Sequence, residues 1–362
     1  MLSRADIRSR GRVSPRLANH RCGMTLTELL VVIMIMSLLL GISLPMMRTA
    51  VQDRALREAS RQLNTYVQLA RARAAERGRP VGLWLETERL PEGLPPDTLF
   101  SQQLFLAETP PPYSGDMVGA TMKIFENSDA GIPSPYVART VNPSMHAAST
   151  MLPNLVRAGD RIKFDFKGPA YLVDQVFPAD ASVAGVRSIY FSFEAPQPEP
   201  RIFDPDNPNV GLLQYQVFRS PQRSAGAPMA FSGDAVIDLS VSGIGLHGLE
   251  LGQAMSPIVI MFSPTGSIDH IYGDNLTAIP PGTVHLLVGS LRDMMEPGEM
   301  SGVFGEDYNR NLEETANMWV SIGHQSGSVV TAQNAWEARD DFSDSLAAAR
   351  EFSEQRFAIG GR

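Results

Sequence analysis

The sequence predicts an α+β fold, in which one long N-terminal helix packs on an antiparallel β-sheet head. An uncharged apolar run near the N-terminus continues into an apolar stripe that recurs about every four residues, which is typical of a helix. Later, short runs rich in Val, Ile, Phe and Tyr alternate with Gly and Pro, which is typical of strands and turns. Long proline-rich stretches predict that the head carries insertions.

Residues 1–23 are predicted to form a separate basic leader. They contain six arginines and one aspartate, a net charge of +5, whereas the whole chain carries −8. The remainder is therefore acidic, which argues against general nucleic-acid binding. Cys22 is the only cysteine, so the sequence allows neither an intrachain disulfide nor a thiolate metal cluster.

The segment after the leader is predicted to be a single transmembrane helix. Residues 29–47 form a run of 19 residues without a charge. At 1.5 Å per residue such a helix is about 30 Å long, which matches the hydrocarbon core of a bilayer. Because the arginines precede the run, the positive-inside rule predicts a cytoplasmic N-terminus and an exported C-terminal part.

A cleaved secretory signal peptide is the alternative for this segment, and three features oppose it. The apolar run is longer than is usual for a signal peptide. It is followed by Pro45, two methionines and Arg48 rather than by a small-residue cleavage site. A carboxylate, Glu28, stands at the edge of the run, where an unpaired charge is costly and therefore marks a functional position.

The residues around this carboxylate resemble a known processing motif. Residues 23–32, GMTLTELLVV, resemble the cleavage motif of type IV prepilins and type II secretion pseudopilins. The resemblance implies cleavage after Gly23, N-methylation of the new N-terminus Met24, and a helix kink at Pro45. The sequence departs from the family pattern at Met24, where phenylalanine is commoner.

Glu28 has two predicted roles, which are compatible. The resemblance implies that its carboxylate neutralises the terminal amine of a neighbouring subunit, because a lone charge buried in a filament would be costly. In the second role, Glu28 helps to start the helix, because Thr25 and Glu28 have the spacing of a capping box.

Residues 48–79 are predicted to continue the helix with one apolar face, after the membrane or filament-core part at 24–47. Gly78 and Pro80 are expected to end it, so the full helix would run from Met24 to Arg77. The stripe consists of eight residues: Met47, Val51, Ala55, Ala59, Leu63, Val67, Ala70 and Ala74.

Residues 80–330 are predicted to form the β-rich head. Residues 70–86 resemble the passage from helix to first strand in H-type minor pseudopilins and fimbrial T-type minor pilins. Glycine-containing turns at 263–266 and 324–327 predict two hairpins. The predicted strands are 81–86, 161–166, 171–177, 188–193, 212–218, 235–239, 258–262, 284–288 and 318–322.

Two insertions and a C-terminal helix complete the predicted head. Residues 91–160 contain ten prolines and are expected to be irregular, with short elements only. Residues 196–210 are also proline-rich and are interpreted as a second insertion or linker. The last segment, 331–362, is predicted to contain a helix from Ala335 to Phe357.

The sequence contains only weak motifs for catalysis, cofactor binding or metal binding. Residues 243–248, GIGLHG, match a dinucleotide fingerprint, but no helix long enough to receive a pyrophosphate follows, so a glycine-rich turn is the better interpretation. The cluster at 204–209 is rich in Asp and Asn, which leaves calcium as an alternative to ordinary turn chemistry. The six histidines lack zinc-site spacing. The sequence therefore predicts no enzyme activity, no cofactor and no metal.

The resemblance implies a minor pseudopilin of a type II secretion system, held in the bacterial inner membrane with a periplasmic head. Implied partners are prepilin peptidase, other pilin or pseudopilin subunits and the inner-membrane assembly platform, together with secreted cargo or an outer-membrane channel. The alternative is a minor pilin of a type IV pilus that acts in adhesion, motility or DNA uptake. A membrane-anchored enzyme would leave the glycine and glutamate motif unexplained.

Overall fold

The computed structural model describes residues 25–91, 98–128, 131–140, 152–177, 188–193, 197–204, 206, 211–253, 256–274, 277–303 and 308–360, without the side chains of 41–51, 153, 177 and 356–360. The chain divides into two compact units, Met1–Val51 and Gln52–Arg362. The α+β class is confirmed, because helices accompany two large antiparallel sheets and a small barrel.

The elements, labelled in chain order, comprise four α-helices and nineteen strands among the described residues. The helices are α1 (Leu26–Arg77), α2 (Leu152–Leu155), α3 (Leu291–Met294) and α4 (Phe342–Gly360). The first ten strands are β1 (Val81–Leu85), β2 (Glu88–Arg89), β3 (Leu99–Ser101), β4 (Gln103–Glu108), β5 (Thr121–Glu126), β6 (Tyr136–Arg139), β7 (Arg161–Phe164), β8 (Tyr171–Phe177), β9 (Ser188–Ser192) and β10 (Leu213–Phe218). The rest are β11 (Gln222–Arg223), β12 (Met229–Ala230), β13 (Ala235–Ile244), β14 (Ile258–Phe262), β15 (Ile268–Tyr272), β16 (Thr277–Ala278), β17 (Val284–Ser290), β18 (Met318–Ile322) and β19 (Val329–Gln333).

Helix α1 begins after Thr25 and ends at Arg77, where the sequence predicts its end. Gly78 follows with φ +63°, a left-handed conformation that glycine adopts without strain. The predicted stripe is buried from Ala59 to Ala74, and Leu56 adds to it on the same face. α1 is continuous through Pro45, and a kink there stays a prediction.

The head is built on two antiparallel sheets that share one core with α1. The first sheet has the order β11-β4-β1-β14-β15-β16, and β12 also pairs with β4. The second sheet has the order β19-β18-β17-β13-β3-β2. Residues of both sheets pack against the stripe of α1, as Leu83 and Ile260 do from the first sheet and Leu286 and Val320 from the second.

The expected irregular insertion at 91–160 requires correction. Strands β3 and β4 belong to the two sheets, whereas β5 and β6 join β7 to β10 in a closed six-stranded barrel with a core of its own. The two chain segments that link the barrel to the head run side by side, because Tyr113 bridges Val217 and Gln222 pairs with Glu108. The described part of the second predicted insertion, 196–210, connects β9 to β10 and packs Phe203 on Phe125 of the barrel.

Helix α4 covers the face of the second sheet opposite to α1. Its residues Phe342, Leu346 and Ala349 pack on Trp319 and Leu287 of that sheet. The helix starts later than predicted, at Phe342, because Asp341 caps it by accepting the N–H of Asp344 at 2.7 Å. The residues just before are not helical, and β19 occupies the start of the predicted segment.

Candidate functional site

The start of α1 is the candidate site for assembly. The Glu28 N–H donates to the Thr25 hydroxyl at 3.2 Å, and Glu28 Oε2 accepts the Thr25 N–H at 2.8 Å. The Thr25 hydroxyl also lies 2.9 Å from the same carboxylate oxygen. These reciprocal bonds satisfy two N-terminal backbone donors, so the predicted capping box is confirmed.

The carboxylate of Glu28 lies five residues after the predicted cleavage point in the sequence, and Thr25 holds it at the helix start. Only Oε2 takes part in the capping bonds, and among the described residues Oε1 accepts none. A fixed, partly unsatisfied carboxylate close to a new N-terminus is suited to binding an ammonium group. Gly23 and Met24 lie outside the described residues.

The helix that follows this cap exposes apolar side chains on all sides. Exposure ranges from 42% at Val32 to 79% at Leu26. A helix that is apolar all round requires lipid or other helices around it. Among the described residues, no helix is both long enough and apolar enough to cross a bilayer. The predicted transmembrane segment stays a prediction.

The second half of α1 is attached to both predicted hairpins. The turn between β14 and β15 and the turn between β18 and β19 meet beside Arg71, as the Arg71 guanidinium donates to the carbonyls of Gly266 at 3.3 Å and Ser326 at 2.9 Å. The Ile268 N–H also donates to the His324 carbonyl at 2.8 Å. Both hairpins are confirmed, and they join the two sheets across α1.

The glycine pattern at 243–248 forms a turn whose carbonyls face an arginine side chain of the same chain rather than a phosphate. The carbonyls of Gly245, Gly248 and Val241 accept hydrogen bonds of 2.8–2.9 Å from the fully buried guanidinium of Arg350. A phosphate loop presents N–H groups to an anion, so this turn has the opposite polarity. A Cβ at Gly243 would lie 1.9 Å from the Gly248 carbonyl oxygen, which requires glycine there. The predicted glycine-rich turn is confirmed.

A buried histidine lies beside this arginine. His285 Nδ1 is 2.9 Å from the Ser321 hydroxyl, and Nε2 is 3.2 Å from Glu354 Oε1. The order serine, histidine, carboxylate resembles a hydrolytic triad, but Ser321 and His285 are fully buried, so no substrate can reach them. The arrangement joins α4 to the second sheet. Burial, and then the nearby Arg350 charge, lower the pKa of His285 to about 3.

Sequence reasoning missed Arg350 and His285 because their partners lie far away along the chain. The cluster at 204–209 shows a local turn in its described part, where Asp204 Oδ1 accepts the Asp206 N–H at 3.0 Å. No group of three or more potential metal ligands occurs within the described residues.

Comparison with known proteins identifies the N-terminal segment. Residues 18–44 match the family model of the prokaryotic N-terminal methylation motif. No curated protein and no solved structure matches the chain. The matched segment contains Gly23, Met24 and Glu28 and ends one residue before Pro45. This motif implies a membrane-anchored N-terminus, processing by prepilin peptidase and assembly with other pilins, and so it supports a type IV pilin-like subunit.

Proposed function

We propose that the chain is a structural subunit of a pilin-like filament rather than an enzyme. In this proposal prepilin peptidase cleaves after Gly23, and Met24 becomes the N-methylated terminus. The observation that carries the proposal is the methylation motif at 18–44, which coincides with a helix start where Glu28 is held by Thr25.

The exposed apolar residues 26–40 support an anchoring and packing role. Before assembly they would face lipid, and in a filament they would face the helices of other subunits. Inside such a bundle the terminal amine of one subunit and the Glu28 carboxylate of its neighbour would neutralise each other. An unpaired charge there costs several kcal/mol.

The finer proposal is a minor pseudopilin of a type II secretion system, in the inner membrane with a periplasmic head. The barrel supports this role, because it enlarges the head beyond the two sheets that pack on α1 and offers surface for secreted cargo or an outer-membrane channel. Deletion of the gene tests it. Loss of enzyme secretion is expected, whereas loss of twitching, adhesion or transformation would indicate a type IV pilus instead.

Processing is tested with a leader variant. Gly23→Leu should leave a precursor that retains residues 1–23, because a bulky side chain obstructs the peptidase at the scissile bond. Gly11→Leu, which changes another glycine of the leader, should be cleaved normally. Mass spectrometry of both proteins decides, and a cleaved Gly23→Leu protein would contradict the proposal.

The two roles of Glu28 can be separated by two substitutions. Glu28→Gln keeps an acceptor for the Thr25 N–H but removes the charge, so it should preserve the helix start and impair assembly. Thr25→Ala removes the cap hydroxyl but keeps the charge, so assembly should persist. Crosslinking of filaments in cells measures the difference. Equal assembly of Glu28→Gln and the unchanged protein would exclude amine neutralisation.

A further inference from the structure

The sheet edges of this molecule differ in length. The barrel is closed and has no edge, and the first sheet ends on the two-residue strands β11 and β16. The second sheet ends at one side on β2, which consists of Glu88 and Arg89. Short and charged edges resist pairing with other chains. The other side ends on β19, which has five residues and is therefore longer than the other three edge strands.

Helix α4 covers one face of β19, but the sequence and register of this strand do not protect its outer edge. Its sequence, VVTAQ, contains no charge, proline or glycine. Its register with β18 is unbroken from Val329, opposite Ile322, to Gln333, opposite Met318. In such an antiparallel edge strand about half of the backbone N–H and C=O groups point away from the sheet. No strand in the described part of the chain pairs with that side.

The two faces of β19 continue two different cores. Val329 lies opposite Ile322 and packs on the core shared with α1. Ala332 lies opposite Trp319, which belongs to the core under α4. A strand added beside β19 would therefore place alternate side chains at the margins of these two cores, which requires uncharged residues on both of its faces.

We propose that the outer edge of β19 binds an extended, uncharged segment of a partner protein as an additional antiparallel strand. The edge is about 17 Å long, so two rigid heads joined only here would bury much less than the roughly 800 Å² per partner of a stable interface. A separate segment can follow the edge and also pack beside both faces. This inference is independent of the cleavage and methylation proposed above.

The test measures binding of a labelled peptide to the full chain in detergent micelles. The probe is a seven-residue peptide of alternating threonine and valine with a lysine at each end. A control peptide carries methyl groups on alternate backbone nitrogens, which removes its donors. Fluorescence anisotropy should show saturable binding of the probe but not of the methylated control, and hydrogen exchange should slow at the β19 amides.

Edge variants locate the site. Val330→Lys should weaken probe binding at least tenfold, and Gln333→Lys provides a second test at an exposed position if the first variant folds poorly. Thr331→Val should bind within twofold of the unchanged protein, because it keeps shape and removes a hydroxyl that is buried without a partner among the described residues. The proposal would be overturned if both lysine variants bound the probe as tightly as the unchanged protein does, or if the methylated control peptide bound. Dimerisation of the chain through β19, measured by sedimentation, would also overturn it.

Discussion

Helices α1 and α4 cover opposite faces of the same sheet by different means. The buried face of α1 is mostly apolar, with Leu63, Val67 and Ala70 fully buried against both sheets. The buried face of α4 combines Leu346 and Ala349 with Arg350, which binds the turn at 243–248. Apolar packing tolerates changes of similar volume, whereas a buried charge depends on every one of its hydrogen bonds. The two attachments should therefore fail under different substitutions and conditions.

The largest effect is expected at Arg350. Arg350→Met should lower the free energy of unfolding by about 4 kcal/mol, because four backbone carbonyls lose their donor. Arg292→Met, at a side chain that is 70% exposed, is the matched control and should cost less than about 0.5 kcal/mol. Urea unfolding of both variants measures the difference. A cost below about 1 kcal/mol at Arg350 would mean that α4 is held by its apolar residues.

The apolar attachment of α1 is tested at Leu63. Leu63→Ala should cost about 3 kcal/mol, since it creates a cavity between the helix and two sheets. Leu69→Ala changes the same residue type on the same helix at a site that is 39% exposed, and it should cost less than about 1 kcal/mol. The two variants are compared by urea unfolding. Similar costs would show that the helix is not held by its buried stripe.

Acid should weaken the attachment of α4 more than that of α1. The folded-state pKa of His285 is lowered from 6.5 to about 3, so the unfolded chain takes up a proton first as the pH falls. Stability is therefore lost from about pH 6.5 towards pH 3, by about 2 kcal/mol between pH 6.5 and pH 5. His285→Gln should show a smaller loss over this interval in unfolding experiments. Identical pH dependence of both proteins would exclude His285 as the cause.

The smallest effect is expected at the hairpin turns beside α1. Arg71→Ala should cost about 1 kcal/mol through the lost bonds to Gly266 and Ser326. It should also speed hydrogen exchange at both turns, because the Arg71 side chain contacts both of them. Arg61→Ala, which breaks an exposed pair with Glu58, should leave both turns unchanged. Unchanged exchange in Arg71→Ala would show that the turns hold each other.

The sequence predicted the features that depend on neighbouring residues. The stripe from Ala59 to Ala74 follows from helical periodicity, and the hairpins follow from turn residues between β-rich runs. Strands β14 and β18 have the predicted bounds for the same reason. The cap at Thr25 and Glu28 was also predictable, because both partners lie within one turn of a helix.

The features that were missed depend on partners far apart in the chain. Closure of the barrel requires β7 to pair with β10, which lies about fifty residues later, and no local pattern specifies that register. The site of Arg350 is made of carbonyls about one hundred residues earlier. Backbone acceptors have no residue type, so a sequence cannot reveal where four of them converge on one side chain.

The chain enters and leaves the barrel at neighbouring positions. The polypeptide leaves after β4 and returns at β11, which pairs with β4, so the rest of the head closes whatever stands between them. A small domain whose ends lie close together could occupy this position between β4 and β11. Subunits with a common anchor could in this way carry different modules on one filament.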